Sequence, residues 1–314
     1  MNDAVLDDLR AAFELAASRV PPVEATIDLA GEPVRFRVAG PELAAVVLRP
    51  FAPLRTVGAP VATVQLWSGE ECGVDLPASI SPEPWRIHAG DQWMVHVQGR
   101  AATGLDRGRG DVVGHRVGPG ALTAHERTKL FPEVLALWLL DRGALKLHAG
   151  CVEGALLVGK TGSGKSTAAL AAAAAGRPIL GDDHVAVRDG TVHAVSCVVR
   201  ILPEVLEAAP WLREAGDVAD VPGDKSMVFL HHLGPPAPVR VVLAPTAAPG
   251  DGLRPLRPAE ALRVLAPSTL LGVVGGGPAA FQAMGDLVSR VPAFALHHGG
   301  NPRRAAELIG EALG

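Results

Sequence analysis

A chain of 314 residues, 48% hydrophobic and 20% charged, is long enough for one large domain or two medium ones with buried cores, which excludes a disulfide-stapled mini-protein and a disordered chain. The formal net charge of −4, from 29 basic and 33 acidic residues, provides no overall cationic field and argues against nucleic acid as a partner. Cys72, Cys151 and Cys197 are odd in number and form no C-x-x-C pair, the N-terminus is acidic where a signal peptide is basic, and no apolar run approaches the roughly 18 residues of a membrane span, so an untargeted cytoplasmic protein with no membrane partner is expected.

Residues 4–19 carry Val5, Leu6, Phe13, Leu15 and Ala16 at helical spacing before Pro21-Pro22, which predicts a first helix. From Val23 to Val117 the texture changes to short alternating runs, Val34–Val38, Val61–Trp67 and Trp93–Gln98, divided by Gly and Pro. An antiparallel, strand-rich region is expected there, with Trp67, Trp85 and Trp93 packed on its core or sheet faces. Thr123 and Glu126 have the spacing of a capping box, so a helix should begin there. Pro132 suits either a kink or the first position of a second helix, whose face carries Leu135, Trp138 and Leu139 and whose end is Gly143. These signals set a domain boundary near residue 120, giving a β-rich N-terminal domain over 1–120, for substrate presentation or docking, and a second domain over 121–314. In the second, apolar runs at Ala155–Val158, Pro178–Leu180, Val239–Leu243 and Phe294–Leu296 alternate with helical patterns at Lys165–Ala175, Pro203–Leu212, Pro258–Leu265, Pro278–Val288 and Arg303–Leu313. That alternation predicts an α/β unit with a largely parallel sheet.

Gly159-Lys160-Thr161-Gly162-Ser163-Gly164-Lys165-Ser166-Thr167 is a full Walker A loop, set between an apolar strand and an alanine-rich helix. Its glycines let successive amides turn inward onto a phosphate, and the helix N-terminus adds partial positive charge. The motif gives Lys165 the β- and γ-phosphates and Ser166 the Mg²⁺, while Lys160 is either a second phosphate contact or solvent-facing. Lysine is scarce here, only Lys129, Lys146, Lys160, Lys165 and Lys225, so two of them in one loop is informative. Transporter ATPases share the spelling but need a Leu-Ser-Gly-Gly-Gln-type signature that this chain lacks. Leu180-Gly-Asp182-Asp183 ends a predicted strand shortly after the loop helix. At the carboxyl edge of a parallel sheet both acids would stand beside the phosphates, one ligating Mg²⁺ and the other taking a proton from an attacking hydroxyl. A solvated acidic turn is the alternative. His148 immediately precedes the loop strand. The pairs His231-His232 and His297-His298 are poor metal sites by themselves, because strand neighbours point to opposite faces.

The order Leu147-His148-Ala149, then the glycine-rich loop, then Leu180-Gly-Asp182-Asp183 resembles the catalytic domain of HPr kinase/phosphorylase and its smaller serine-kinase relatives, which share a nucleotide fold with ATP-dependent phosphoenolpyruvate carboxykinase. The likeness is specific over about 145–190 and looser to the end of the chain. Val221-Pro-Gly-Asp-Lys225 resembles a segment that such relatives often carry. The fold implied is α/β: a P-loop kinase domain of the HPr kinase/carboxykinase type, preceded by the β-rich domain. The resemblance implies that residues Gly159 to Thr167 hold ATP, with Mg²⁺ on Ser166 and Asp183. It further implies an acid/base and metal cluster of His148, Asp182 and Asp183 beside Lys165, and a phosphate or substrate contact for Lys225. Arg200 is a further candidate anchor for an anionic substrate group. Which aspartate acts as base stays open. Thr167 stands where the bifunctional enzyme commonly has glutamate, and that enzyme's Glu-x-Arg-Gly-rich signature has no counterpart, so the likeness is to a monofunctional relative. The expected activity is phosphoryl transfer to a serine-like hydroxyl of a peptide, protein or small metabolite, and a homo-oligomer is compatible with it. The competing readings are a nucleotide-binding regulatory or assembly module and, behind it, a carboxykinase-like lyase, which normally needs a longer chain and a dedicated Mn²⁺ site.

Overall fold

The computed structural model describes residues 4–219, 225–246, 248–270 and 277–314. It is a mixed α/β chain with several sheets, and it divides into two compact units, Met1–Asp141 and Arg142–Gly314.

In the first unit α1 (Ala4–Arg19) buries Val5, Leu6, Leu9, Phe13 and Ala16 along one stripe. Strands β1 (Val23–Leu29), β2 (Glu32–Ala39), β3 (Ala62–Ser68), β4 (Glu83–Ala89), β5 (Trp93–Gly99), β6 (Ala101–Asp106) and β7 (Asp111–Arg116) make one sheet in the order β1-β2-β3-β7-β6-β5-β4. The sheet is not the antiparallel one expected: β3 runs parallel to both β2 and β7. A parallel neighbour needs a crossover, which α2 (Pro41–Val47) and the 3-10 turn Arg49–Leu54 supply between β2 and β3. Trp67 is fully buried beside Phe13, Val95 and Val97, whereas Trp85 packs on the sheet face against the His96 ring and stays 55% exposed. A short α3 (Gly69–Cys72) follows β3.

Thr123 caps α4 (Ala124–Thr128) with both bonds of the capping box. Helix α5 (Pro132–Asp141) buries Val134 through Leu139 against β5 and β6, and Trp138 Nε1 donates to Gly110 O at 2.7 Å. Both helices therefore lie in the first unit. The division falls at residues 141/142 rather than near 120, because the change from strand to helix texture is not where the first core ends.

The strands of the second unit are β8 (Ala144–Leu147), β9 (Gly150–Val152), β10 (Ala155–Leu157), β11 (Ile179–Gly181), β12 (Val185–Arg188), β13 (Thr191–Ala194), β14 (Val198–Ile201), β15 (Gly216–Ala219), β16 (Ser226–Leu230), β17 (Ala237–Pro238), β18 (Val241–Thr246), β19 (Gly252–Pro255) and β20 (Ala293–His297). The largest sheet runs β11-β9-β10-β18-β20-β19. It is mixed rather than largely parallel: β10, β18 and β20 pair in parallel, while β9 and β19 oppose their neighbours. Because β11 is antiparallel to β9, it runs the same way as β10. Strands β10, β11, β18 and β20 thus point their carboxyl ends to one edge.

Helices α6 (Lys165–Ala174) and α11 (Pro302–Leu313) pack together over Leu157, Leu170, Val241, Leu243, Leu308 and Ile309. The single helix expected over 203–212 is two, α7 (Pro203–Ala208) and α8 (Leu212–Ala215), since Pro210 interrupts the pattern. Helix α9 starts at Pro258 as its spacing predicts but continues through Pro267 to Leu270, and it packs on α10 (Gly277–Arg290). Among the described residues no helix is long and apolar enough to cross a membrane.

Candidate functional site

Strand β10 is buried throughout, and Val158 N continues its pairing with Leu243 O at 2.8 Å before the chain leaves the sheet edge as a loop. Helix α6 begins behind Gly164, which has φ +97°. Only glycine fits the loop's two ends. Gly159 has φ +141° and a Cβ there would lie 2.8 Å from Ser163 Oγ, while a Cβ on Gly164 would lie 3.3 Å from His298 Nε2. Lys165, 7% exposed, folds back over the loop and donates from Nζ to Gly159 O at 2.7 Å and Lys160 O at 3.2 Å. Lys160, Thr161 and Gly162 are exposed, and Ser163, Ser166 and Thr167 are half-buried. A glycine-rich turn at a helix N-terminus with a lysine laid across it is suited to holding phosphate.

Because β11 and β10 run the same way, Asp182 and Asp183 leave the sheet at the loop's own edge. Asp182 is 3% exposed, is hydrogen-bonded by the Ser166 side chain, and accepts from Arg200 N at 3.4 Å. Burial pushes its pKa up to about 6; the Ser166 bond opposes this, the neighbouring Asp183 charge adds to it, and Lys225 is near enough to pull it down. Its Oδ1 is buried without a partner. Asp183 is more open. Its Oδ1 lies 3.1 Å from His148 Nδ1 and its Oδ2 3.5 Å from His184 Nδ1, with the two imidazoles edge to face at 5.2 Å. His148 follows β8, and its backbone N donates to Thr269 Oγ1 of α9 at 3.4 Å.

The fold therefore brings Lys165, Ser166, Asp182, Asp183 and His148 to one edge, and Arg200 joins through its backbone N–H rather than its guanidinium, whose Nε is buried unpartnered. The charge of Lys225 acts on Asp182 without an ion pair between them; Val221 to Asp224 of the same motif lie outside the described residues. Ser166 reaches Asp182, whereas Asp183 reaches the two histidines. A hydroxyl and a buried carboxylate oxygen suit a hard cation such as Mg²⁺. One ligand atom from each of His148, Asp183 and His184 falls within 4.8 Å of the others, an imidazole-rich set that suits Mn²⁺ or Zn²⁺ better.

Three features of the site escape the sequence reading. His184 completes a run of three ligand-type residues after Gly181, which was the available signal. His298, discounted with its neighbour as a metal site, stands behind Gly164 with both ring nitrogens buried and unpartnered, and burial lowers its pKa. His297 borders a cavity of about 900 Å³ that runs from loop residues Gly159 to Ser163 past the end of β18 to Arg254 and Arg263. The carboxyl end of β20 was the signal for His297; the arginines had none in an arginine-rich chain. No protein-family model matches the chain, and no curated protein matches it.

Proposed function

We propose that the second unit is an ATP-dependent kinase, similar to the monofunctional HPr kinase-like enzymes, that transfers the γ-phosphoryl group to a hydroxyl of a peptide, protein or small metabolite. One observation carries this reading: the phosphate loop and a carboxylate pair share a sheet edge, one acid buried against Ser166 and the other open and backed by His148. The loop from Gly159 to Thr167 cradles the triphosphate, and the cavity of about 900 Å³ beside it takes the nucleoside, with Arg254 and Arg263 adding positive charge. Lys165 exchanges the carbonyls of Gly159 and Lys160 for the β- and γ-phosphates. Mg²⁺, when bound, neutralises phosphate charge, and Ser166 with Asp182, whose Oδ1 is buried and unpartnered, are the oxygen ligands that fit it.

Asp183 is the base in this reading, since it is open to an acceptor while His148 fixes its carboxylate. The acceptor O–H proton passes to Asp183, the oxygen forms its bond to the γ-phosphorus, and the bond from that phosphorus to the β-phosphate oxygen breaks to release ADP. Positioning and charge neutralisation supply most of the rate.

The test incubates the full chain with ATP, Mg²⁺ and a panel of hydroxyl-bearing peptides and small metabolites, reading ADP and the acceptor's mass gain of one phosphoryl group. Lys165→Ala and Asp182→Asn should each abolish transfer with the fold intact. Asp183→Asn should lower the rate by roughly 10²- to 10⁴-fold while ATP still binds. Unchanged transfer in Lys165→Ala would sink the kinase, and ATP bound unhydrolysed beside every acceptor favours a nucleotide-binding module.

A further inference from the structure

We propose that the first unit carries a second, separate binding site for a small α-amino acid, in a cavity of about 130 Å³ bordered by Arg116, His96, Glu133, Thr103, Glu126 and Trp85. Arg116, on β7, is 5% exposed. Its Nη1 donates to Ala102 O at 3.2 Å and His115 O at 2.7 Å, and its Nη2 donates to Thr103 Oγ1 at 2.9 Å. A guanidinium has five N–H donors, so two are left over, and one of them is the buried, unpartnered Nε. Nε–H and one Nη2 N–H leave the same edge of the plane, the fork that a carboxylate fills with two parallel bonds. Among the described residues no carboxylate lies within ion-pair distance of Arg116. A cation buried this deeply, with Glu126 acting on it only from beyond ion-pair distance, is unfavourable, and a carboxylate bound directly to it relieves it.

The lining of the same cavity also carries the opposite deficit. Glu133, at the start of α5, keeps Oε2 buried with no donor, 3.6 Å from His96 Nδ1. His96, on β5, is 7% exposed, and its Nε2 is also buried and unpartnered. The charges of Glu133 and Arg116 both act on His96, so the cation, the acid and the imidazole sit around one small volume. A simple carboxylate would satisfy Arg116 but face Glu133 and Glu126. A ligand with an ammonium one carbon from its carboxylate gives Glu133 its donor as well. Space for about four waters limits the side chain to a small one. Trp85 meets His96 edge-on, ring centroids 5.5 Å apart, and its exposed face places it at the mouth.

The site lies wholly within the first unit and does not rest on the kinase reading. Calorimetric titration of the full chain with L-alanine and L-serine tests it, with propionate and ethylamine as ligands carrying one charge each. The amino acids should bind at least about tenfold more tightly than either analogue. L-Alanine should change tryptophan emission in the wild type and not in Trp85→Phe. Arg116→Lys should weaken L-alanine by roughly thirtyfold, and Glu133→Gln, which disturbs no hydrogen bond to the backbone, keeps the test valid if the buried arginine variant fails to fold. Glu133→Gln should lose about tenfold for L-alanine and nothing for propionate. Absence of binding up to roughly 10 mM, equal affinity for propionate, or an unaffected Glu133→Gln each overturns the proposal.

Discussion

His115 is 1% exposed on β7, against the indole of Trp67, with ring centroids 5.2 Å apart. Burial holds its pKa down at about 4, although Nδ1 meets Arg100 O at 2.8 Å. A folded pKa below the ordinary 6.5 means that the folded chain resists the proton. The stabilisation is complete above pH 6.5 and is lost as pH falls toward 4, by about 3 kcal/mol at roughly 1.4 kcal/mol per unit. His96 shifts in the same direction. Urea unfolding at pH 7 and pH 4 should show a steeper acid loss in the wild type than in His115→Gln; parallel losses would mean that His115 titrates freely. In the second unit, Gly164→Ala should cost about 1 kcal/mol of stability, because alanine is strained at φ +97° and its Cβ presses on His298. The loop and the acid pair are legible in the sequence because each is a contiguous motif whose spelling carries its chemistry. His184 follows the acid pair directly, but its meaning comes from His148, which the fold brings beside it, and His298 meets Gly164 only through the fold, which no local pattern announces.

At the scale of elements, α11 is held by a cap and by a core. Asn301 Oδ1 accepts from Arg303 N at 3.0 Å and Arg304 N at 3.4 Å, and Leu308 and Ile309 are fully buried against the partners of α6. Asn301→Ala should lower second-unit stability by about 1 kcal/mol, and Leu308→Ala by roughly 2–5 kcal/mol, measured by chemical unfolding. A Leu308→Ala loss below that of Asn301→Ala would place the helix outside the core. Long amphipathic patterns such as α1, α10 and α11 were readable from spacing alone, and so was the cap at Thr123. Strands β12 through β15, each of four residues, are too short for a period to declare itself. The direction of β3 is equally hidden, since alternation records which face is buried and says nothing of the neighbour's polarity.

The two units have separate cores: Phe13, Trp67, Val95 and Val113 are buried together in one, and Leu157, Leu170, Leu243 and Ile309 in the other. The sequence suggested two domains from texture, but it placed the join before α4 and α5, and α5 packs its apolar residues against β5 and β6 of the first unit. Independent cores predict independent unfolding steps in the whole chain, which Phe13→Ala and Leu308→Ala would assign by lowering one step each. A nucleotide that binds only the folded second unit must stabilise that step alone. At a hundredfold excess over its Kd the gain is about 2.7 kcal/mol, and Lys165→Ala should forfeit it. L-Alanine, by the same linkage, should raise only the step that Phe13→Ala lowers. A nucleotide that shifts the first step and leaves the second unmoved would place its site outside the loop at Gly159 to Thr167, since ligand stabilisation reports where binding energy is made.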